Sequence, residues 1–140
     1  MKTCYWEHFE HKADIGVKGI APSLSQAFEQ AAMALSAVVT DLQCIAPNID
    51  ISIECTAPDK EILLLEWLDS LIYEMAVRKM LFSRFKVNIE DTKLTAIVSG
   101  ETVSVAKHHP AVEIKGATFT ELKVIQDQNG LWRAQCVVDV

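Results

Sequence analysis

The apolar residues of this chain follow two different periods, and that contrast limits the fold more than any other feature. Leu24, Phe28, Ala31, Leu35 and Val38 recur at helical spacing. Ser23 stands just before them with Gln26 three residues later, a capping-box pattern, and Pro22 lies outside it. Ala27, Ala32 and Ala34 favour a helix and allow close packing. A helix from Ser23 to Thr40 is therefore predicted. Ile49, Ile51, Ile53 and Cys55 instead alternate with Asp50, Ser52, Glu54 and Thr56, the pattern of a strand with one wet face. Pro58-Asp59 opens a second helix running to Lys79, with Asp59 as its cap. Leu64, Leu68, Leu71, Ile72 and Met75 line its buried side, and Arg78 and Lys79 suit the negative end of its dipole.

Further strands are expected at Cys4 to Phe9, Ala13 to Ile20, Phe85 to Ile89, Leu94 to Val98 and Thr102 to Ala106, with Gly100 marking a bulge or bend. Leu122 to Ile125 and Leu131 to Val138 flank Asp127-Gln128-Asn129-Gly130, a hairpin turn signal. His108-His109-Pro110 is expected as a solvated loop, and Glu113 to Phe119 reads equally as strand or as one helical turn. Two helices among about seven strands, many of them consecutive, give an α+β fold. Its two main helices should pack on a mainly antiparallel or mixed sheet. With 140 residues, no repeat and no linker, a single domain spanning 1–140 is expected.

Half of the residues are apolar and 23% are charged, enough for a core without disulfide or metal staples. The net charge of −6 and the absence of a basic stripe argue against direct nucleic-acid binding. An acidic body remains suited to a basic protein partner. Cys4, Cys44, Cys55 and Cys136 lack C-x-x-C spacing, and the N-terminus lacks the apolar run of a signal peptide. They read as reduced core thiols of a cytoplasmic protein. The longest apolar run, Ile62 to Leu65, is bracketed by Glu61 and Glu66, so no membrane span is expected.

Two carboxylates carry the clearest chemistry. Asp14 lies in an apolar strand punctuated by Gly16, and Asp139 ends another beside the terminal carboxylate of Val140. Carboxylates at apolar strand ends are destabilising unless something cationic meets them. If the two strands pair, Asp14, Asp139 and Val140 form an oxygen-rich site for a hard metal. His8 and His11 are three apart, and on a strand they face opposite ways, so separate roles are expected. His11 lies near Asp14 in the sequence. Glu66 and Asp69 share a face of the second helix with Glu61 and Glu74 nearby, either a solvated face or one turned toward Asp14. Lys115 reads by pattern as a surface lysine. No nucleophile triad, phosphate-cradling glycine loop or paired acid and base emerges.

Several blocks carry a resemblance. They are His11–Val17, Ser23–Phe28, Ala31–Leu35, Leu64–Tyr73, Gly100-Glu101, Glu113–Phe119, Trp132–Ala134 and Val137–Val140. Their order and spacing resemble the archease family nearly end to end. The resemblance implies an accessory protein rather than a free-standing enzyme. Archeases assist the RtcB-type RNA ligase, which joins RNA ends with GTP and divalent metal, by promoting its guanylylation and repeated turnover in tRNA splicing or RNA repair. It further implies a divalent cation, calcium in family structures with manganese or magnesium as alternatives, held by carboxylates matching Asp14 and Asp139 and by a main-chain oxygen of Val140. A lysine matching Lys115 serves activation of the partner. His11, Glu66 and Asp69 are then candidates for support behind the metal ligands. The chain departs from the family at Lys12, where many members have Thr, and at Phe119-Thr120, where Tyr-His is frequent, so no role for that His transfers. The alternatives are a stand-alone metal-dependent hydrolase or nuclease, which lacks a second metal cluster and a clear general base, and a general chaperone.

Overall fold

The computed structural model describes residues 3–140. Strand β1 (Tyr5–His11) turns into β2 (Asp14–Ala21), which leads to helix α1 (Leu24–Val39) and a 3-10 turn (Leu42–Cys44). Strand β3 (Ile49–Thr56), helix α2 (Lys60–Arg78), and the hairpin of β4 (Met80–Glu90) and β5 (Lys93–Thr102) follow. A short α3 (Val105–His108), β6 (Gly116–Ala117), β7 (Lys123–Gln126) and β8 (Trp132–Asp139) complete the order. No helix among the described residues is long and apolar enough to cross a membrane.

Both predicted caps form. Ser23 Oγ accepts from Gln26 N–H at 3.2 Å, and Asp59 Oδ1 accepts from Ile62 N–H at 2.8 Å. Beyond each cap the helix buries more than one stripe. Helix α1 encloses Ala27, Phe28, Ala31, Ala32, Ala34, Leu35, Val38 and Val39, and α2 encloses Leu63, Leu64, Leu65, Trp67, Leu68, Leu71 and Ile72. Apolar faces that wide meet apolar surface on more than one side. Accordingly α1 packs on β2 and β4, and α2 touches β3, β4 and β8.

The fold is α+β with antiparallel pairing throughout, as expected, but its strands divide into two sheets. The first, five-stranded, runs β1-β2-β8, with β6 and β7 sharing the far side of β8. The second, three-stranded, runs β3-β5-β4. Trp67 joins the layers: it is 0% exposed, its Nε1 donates to Phe28 O at 3.0 Å, and its ring stands edge-on to Phe85.

Two glycines permit close approach. A methyl group on Gly19 in β2 would lie 2.2 Å from Ala27 O and 2.4 Å from Ala31 N, so α1 rests on the bare backbone of β2. One on Gly100 would lie 1.8 Å from Leu81 O. Gly100 itself stays within a regular β5, and the irregularity falls in β4 between Phe82 and Arg84, opposite the expected position.

Other expectations are corrected. Thr102 to Ala106 is not a strand: β5 ends at Thr102, and Ser104 Oγ accepts from Lys107 N–H at 3.3 Å to start α3. His108 is not solvated but 2% exposed. Only Cys55 and Cys136 are core thiols, because Cys4 precedes β1 at the surface and Cys44 ends the half-buried 3-10 turn; all four are free. Burial pushes the Cys136 thiol up to about 12, with the charge of Asp69 adding to the rise against a lowering bond from Thr118. Of Glu113 to Phe119, only Gly116 and Ala117 are strand.

Gly19→Ala should destabilise the fold by about 2 kcal/mol or more, because backbone rather than a side-chain tip blocks the added methyl. Gly116→Ala, whose added methyl would meet nothing nearer than Asp69 Oδ1 at 3.8 Å, should change stability by less than about 0.5 kcal/mol. Urea unfolding of both variants checks the contrast.

Candidate functional site

Lys12 and Ala13 join β1 to β2 in a two-residue turn, Lys12 adopting a left-handed φ of 54°, which sets His11 opposite Asp14. Along the other side of β2, Ile15 pairs with Val138, so Asp14 comes level with Asp139 at the end of the ladder. Val140 N–H points to Asp14 Oδ1 at 3.4 Å. On the far side of β8, Gly116 pairs with Asp139, and Lys115 N–H donates to Asp139 O at 2.7 Å. One end of the five-stranded sheet thus gathers Asp14, Asp139, Val140 and Lys115. Asp14 is half-buried, while Asp139 and the Lys115 side chain are exposed.

The remaining expected residues lie around this end. Asp69 Oδ1 accepts from Ala117 N–H at 2.9 Å, fastening β6 to α2. Glu66, one turn earlier on α2, is exposed. His11 faces Asp14 across the ladder, whereas His8 donates from Nε2 to Ala34 O at 2.7 Å, so the two imidazoles have the separate surroundings expected of them. Among the described residues, no group of three or more His, Cys, Asp or Glu side chains is placed to hold a metal ion. His11, Glu66 and Asp69 therefore do not complete a side-chain cage with Asp14 and Asp139. The two carboxylates and a main-chain oxygen of Val140 fit a hard divalent cation in donor type, with the remaining positions left to water or to another molecule.

A second polar cluster went unread in the sequence. Glu101 Oε2 accepts from Ala46 N–H at 2.8 Å, Lys107 Nζ at 2.6 Å and His108 Nε2 at 3.0 Å. His108 Nδ1 accepts from Ser104 N–H at 2.9 Å, so the ring proton sits on Nε2 and points at Glu101. Thr40 Oγ1 donates to His108 O, and Ala111 N–H donates to Val39 O at 2.8 Å. The segment leading to Lys115 is thereby tied to the end of α1. The sequence signal was slight: Glu101 lies seven positions from His108, a spacing no regular element brings together.

The model of the Archease protein family (MTH1598/TM1083) matches residues 6–140. The chain belongs to the archease family. It is 38% identical to the protein archease of Pyrococcus furiosus over 139 residues, covering 96% of this chain and 98% of that one. With the protein archease of Methanosarcina mazei it shares 32% over 140 residues, covering 96% and 95%. The solution structure of Methanobacterium thermoautotrophicum protein 1598 superposes with a TM-score of 0.78 at 28% identity, covering 96% of this chain and 98% of that one. The crystal structure of a Thermotoga maritima archease, described as a possible chaperone, gives 0.59 at 17% identity over 96% of each, a likeness of fold. Both solved structures share the overall fold of this chain.

The bond from Ala46 N–H, followed by those from Lys107 and His108, lowers the Glu101 carboxyl from its ordinary 4.5 to about 2. A carboxyl lowered on folding stabilises the fold above its unfolded value, and that contribution disappears as pH falls through the folded value. Wild type should therefore lose thermal stability between about pH 4.5 and about pH 2 more steeply than Glu101→Gln. The variant should start from a lower Tm at neutral pH, and the difference between the two curves, read by circular dichroism, should shrink across that window.

Proposed function

We propose that this archease is a metal-binding accessory protein that activates an RtcB-type RNA ligase, promoting its guanylylation and multiple turnover. The observation supporting this reading is the β2–β8 pairing, which brings Asp14 level with Asp139 while Lys115 is bonded through its backbone to the same strand end. Asp14, Asp139 and a main-chain oxygen of Val140 would hold the divalent cation, calcium, manganese or magnesium. When bound, the cation supplies positive charge for phosphate oxygens at the ligase. The amide of Val140 orients one oxygen of Asp14 toward β8. Lys115, exposed beside them, offers a free ammonium to an anionic group of the partner. With a net charge of −6 the chain is poorly suited to grip RNA, so RNA contact runs through the ligase. The stand-alone hydrolase reading gains no support from a site where, among the described residues, no group of three or more metal-ligating side chains is gathered.

The test is multiple-turnover RNA ligation with a cognate ligase, GTP and manganese, with this chain substoichiometric. Turnover should rise well beyond one ligation per ligase. Asp14→Ala and Asp139→Ala should abolish the rise with unchanged circular dichroism. Lys115→Ala should reduce it while leaving cation affinity, measured by calorimetry, intact. Unchanged turnover with all three variants would sink the proposal, and nucleotide or RNA cleavage without ligase would favour the hydrolase.

A further inference from the structure

A sheet edge presents a row of backbone N–H and C=O groups that must meet something. Helix side chains meet them along two edges of this molecule. On β4, Glu29 Oε2 accepts from Val87 N–H at 2.8 Å and Ser25 Oγ accepts from Ile89 N–H at 3.1 Å, both reaching from α1. On β6 and β7, Asp69 accepts from Ala117 N–H at 2.9 Å and Glu61 from Val124 N–H at 3.5 Å, both reaching from α2. The edge of β1 is seven residues long, and four of them are Glu or His. The edge of β3 has no such bonds from a helix among the described residues.

Strand β3 pairs only with β5. Ala57 N–H donates to Thr92 O at 3.2 Å just beyond the ladder, which fixes its phase. Ile49, Ile51, Ile53 and Cys55 turn their backbone groups to β5, and Asp50, Ser52, Glu54 and Thr56 turn theirs outward. The outward row borders a groove of about 470 Å³, with Ser52 and Glu54 on one wall and Glu66, Asp69, Tyr73 and Glu74 of α2 on the other. Of its four carboxylates, Glu74 is paired with Arg78, and Tyr73 is 62% exposed.

We propose that this groove docks an extended, basic segment of a partner protein, which adds to β3 as a fourth strand. The outward N–H and C=O groups supply the ladder, independent of the partner's side chains. Alternate side chains of the added strand face α2, where lysine or arginine meets Glu66 and Asp69. Tyr73 offers an apolar body with a polar tip for packing. Charge selects this occupant over a second copy of the chain, which would set these carboxylates against their own kind across the new pairing. The docking needs neither the ligase nor the cation of the proposed function. It does adjoin that end of the molecule, because Asp69 belongs both to the groove and to the fastening of β6.

The test is titration of the nitrogen-15-labelled protein with a synthetic peptide alternating lysine with valine, and with its counterpart carrying glutamate for lysine. The lysine peptide should shift the amides of Ser52 and Glu54 and slow their hydrogen exchange about tenfold, leaving Ile51 and Ile53, already bonded to β5, unchanged. The glutamate peptide should do neither. Ser52→Pro removes one outward N–H at an edge position that tolerates proline, and should weaken binding about tenfold. If that variant fails to fold, Glu66→Lys tests the α2 wall and should weaken binding of the lysine peptide about tenfold. Unprotected Ser52 and Glu54 amides, or equal binding of the two peptides, would overturn the proposal. So would protection that grows with protein concentration in the absence of peptide, which would give the edge to a second copy.

Discussion

Helix α1 lies so close to β2 that residue 19 has no room for a methyl group, and much of the molecule depends on that contact. The approach is possible because the facing helix residues are Ala27 and Ala31 and the facing strand residue is glycine. From there the opposite flank of α1 reaches β4, where Ser25 and Glu29 bond its backbone. Its carbonyl at Phe28 receives the indole of α2, and its C-terminal end holds the segment around His108. A single helix thus sets the distance between the sheets, covers an edge and anchors a loop.

The candidate site rests on register rather than on packing. Antiparallel alignment of β2 and β8 brings Asp14 and Asp139 together, and a slip of one residue would turn one carboxylate to the other face. Lys115 is held through its amide to Asp139 O, which leaves its ammonium exposed. With two side-chain carboxylates at hand among the described residues, a cation bound there would keep open positions. Such openness suits an ion that must also contact another molecule better than one buried for stability.

Local signals made much of this legible. The caps at Ser23 and Asp59 and the turn at Asp127–Gly130 are written in residues within four positions of one another, and each forms. The pairing of Asp14 with Asp139 could be framed only as a condition, since periodicity says nothing about which strands meet. The division into two sheets was hidden for the same reason. It follows from helices apolar on more than one side, and Trp67 on α2 was the clue to that breadth. His108 was misjudged because its neighbours His109 and Pro110 are exposed, and its burial depends on Glu101 and Ser104. Gly100 reads in the sequence as a bulge or bend, but β5 stays regular there and the irregularity belongs to the facing β4, whose backbone leaves no room for a side chain at residue 100.

The position of β8 has a consequence for the order of assembly. It is the last strand in the sequence, yet it lies inside the five-stranded sheet, between β2 and the pair β6 and β7. During synthesis the inner edge of β2 stays unpaired until β8, its partner in the fold, has also been made. Asp14 and Val140 stand 126 positions apart, so the site closes through one of the longest loops the chain can make. A chain cut before residue 132 lacks β8, and with it the Asp139 that the fold sets beside Asp14.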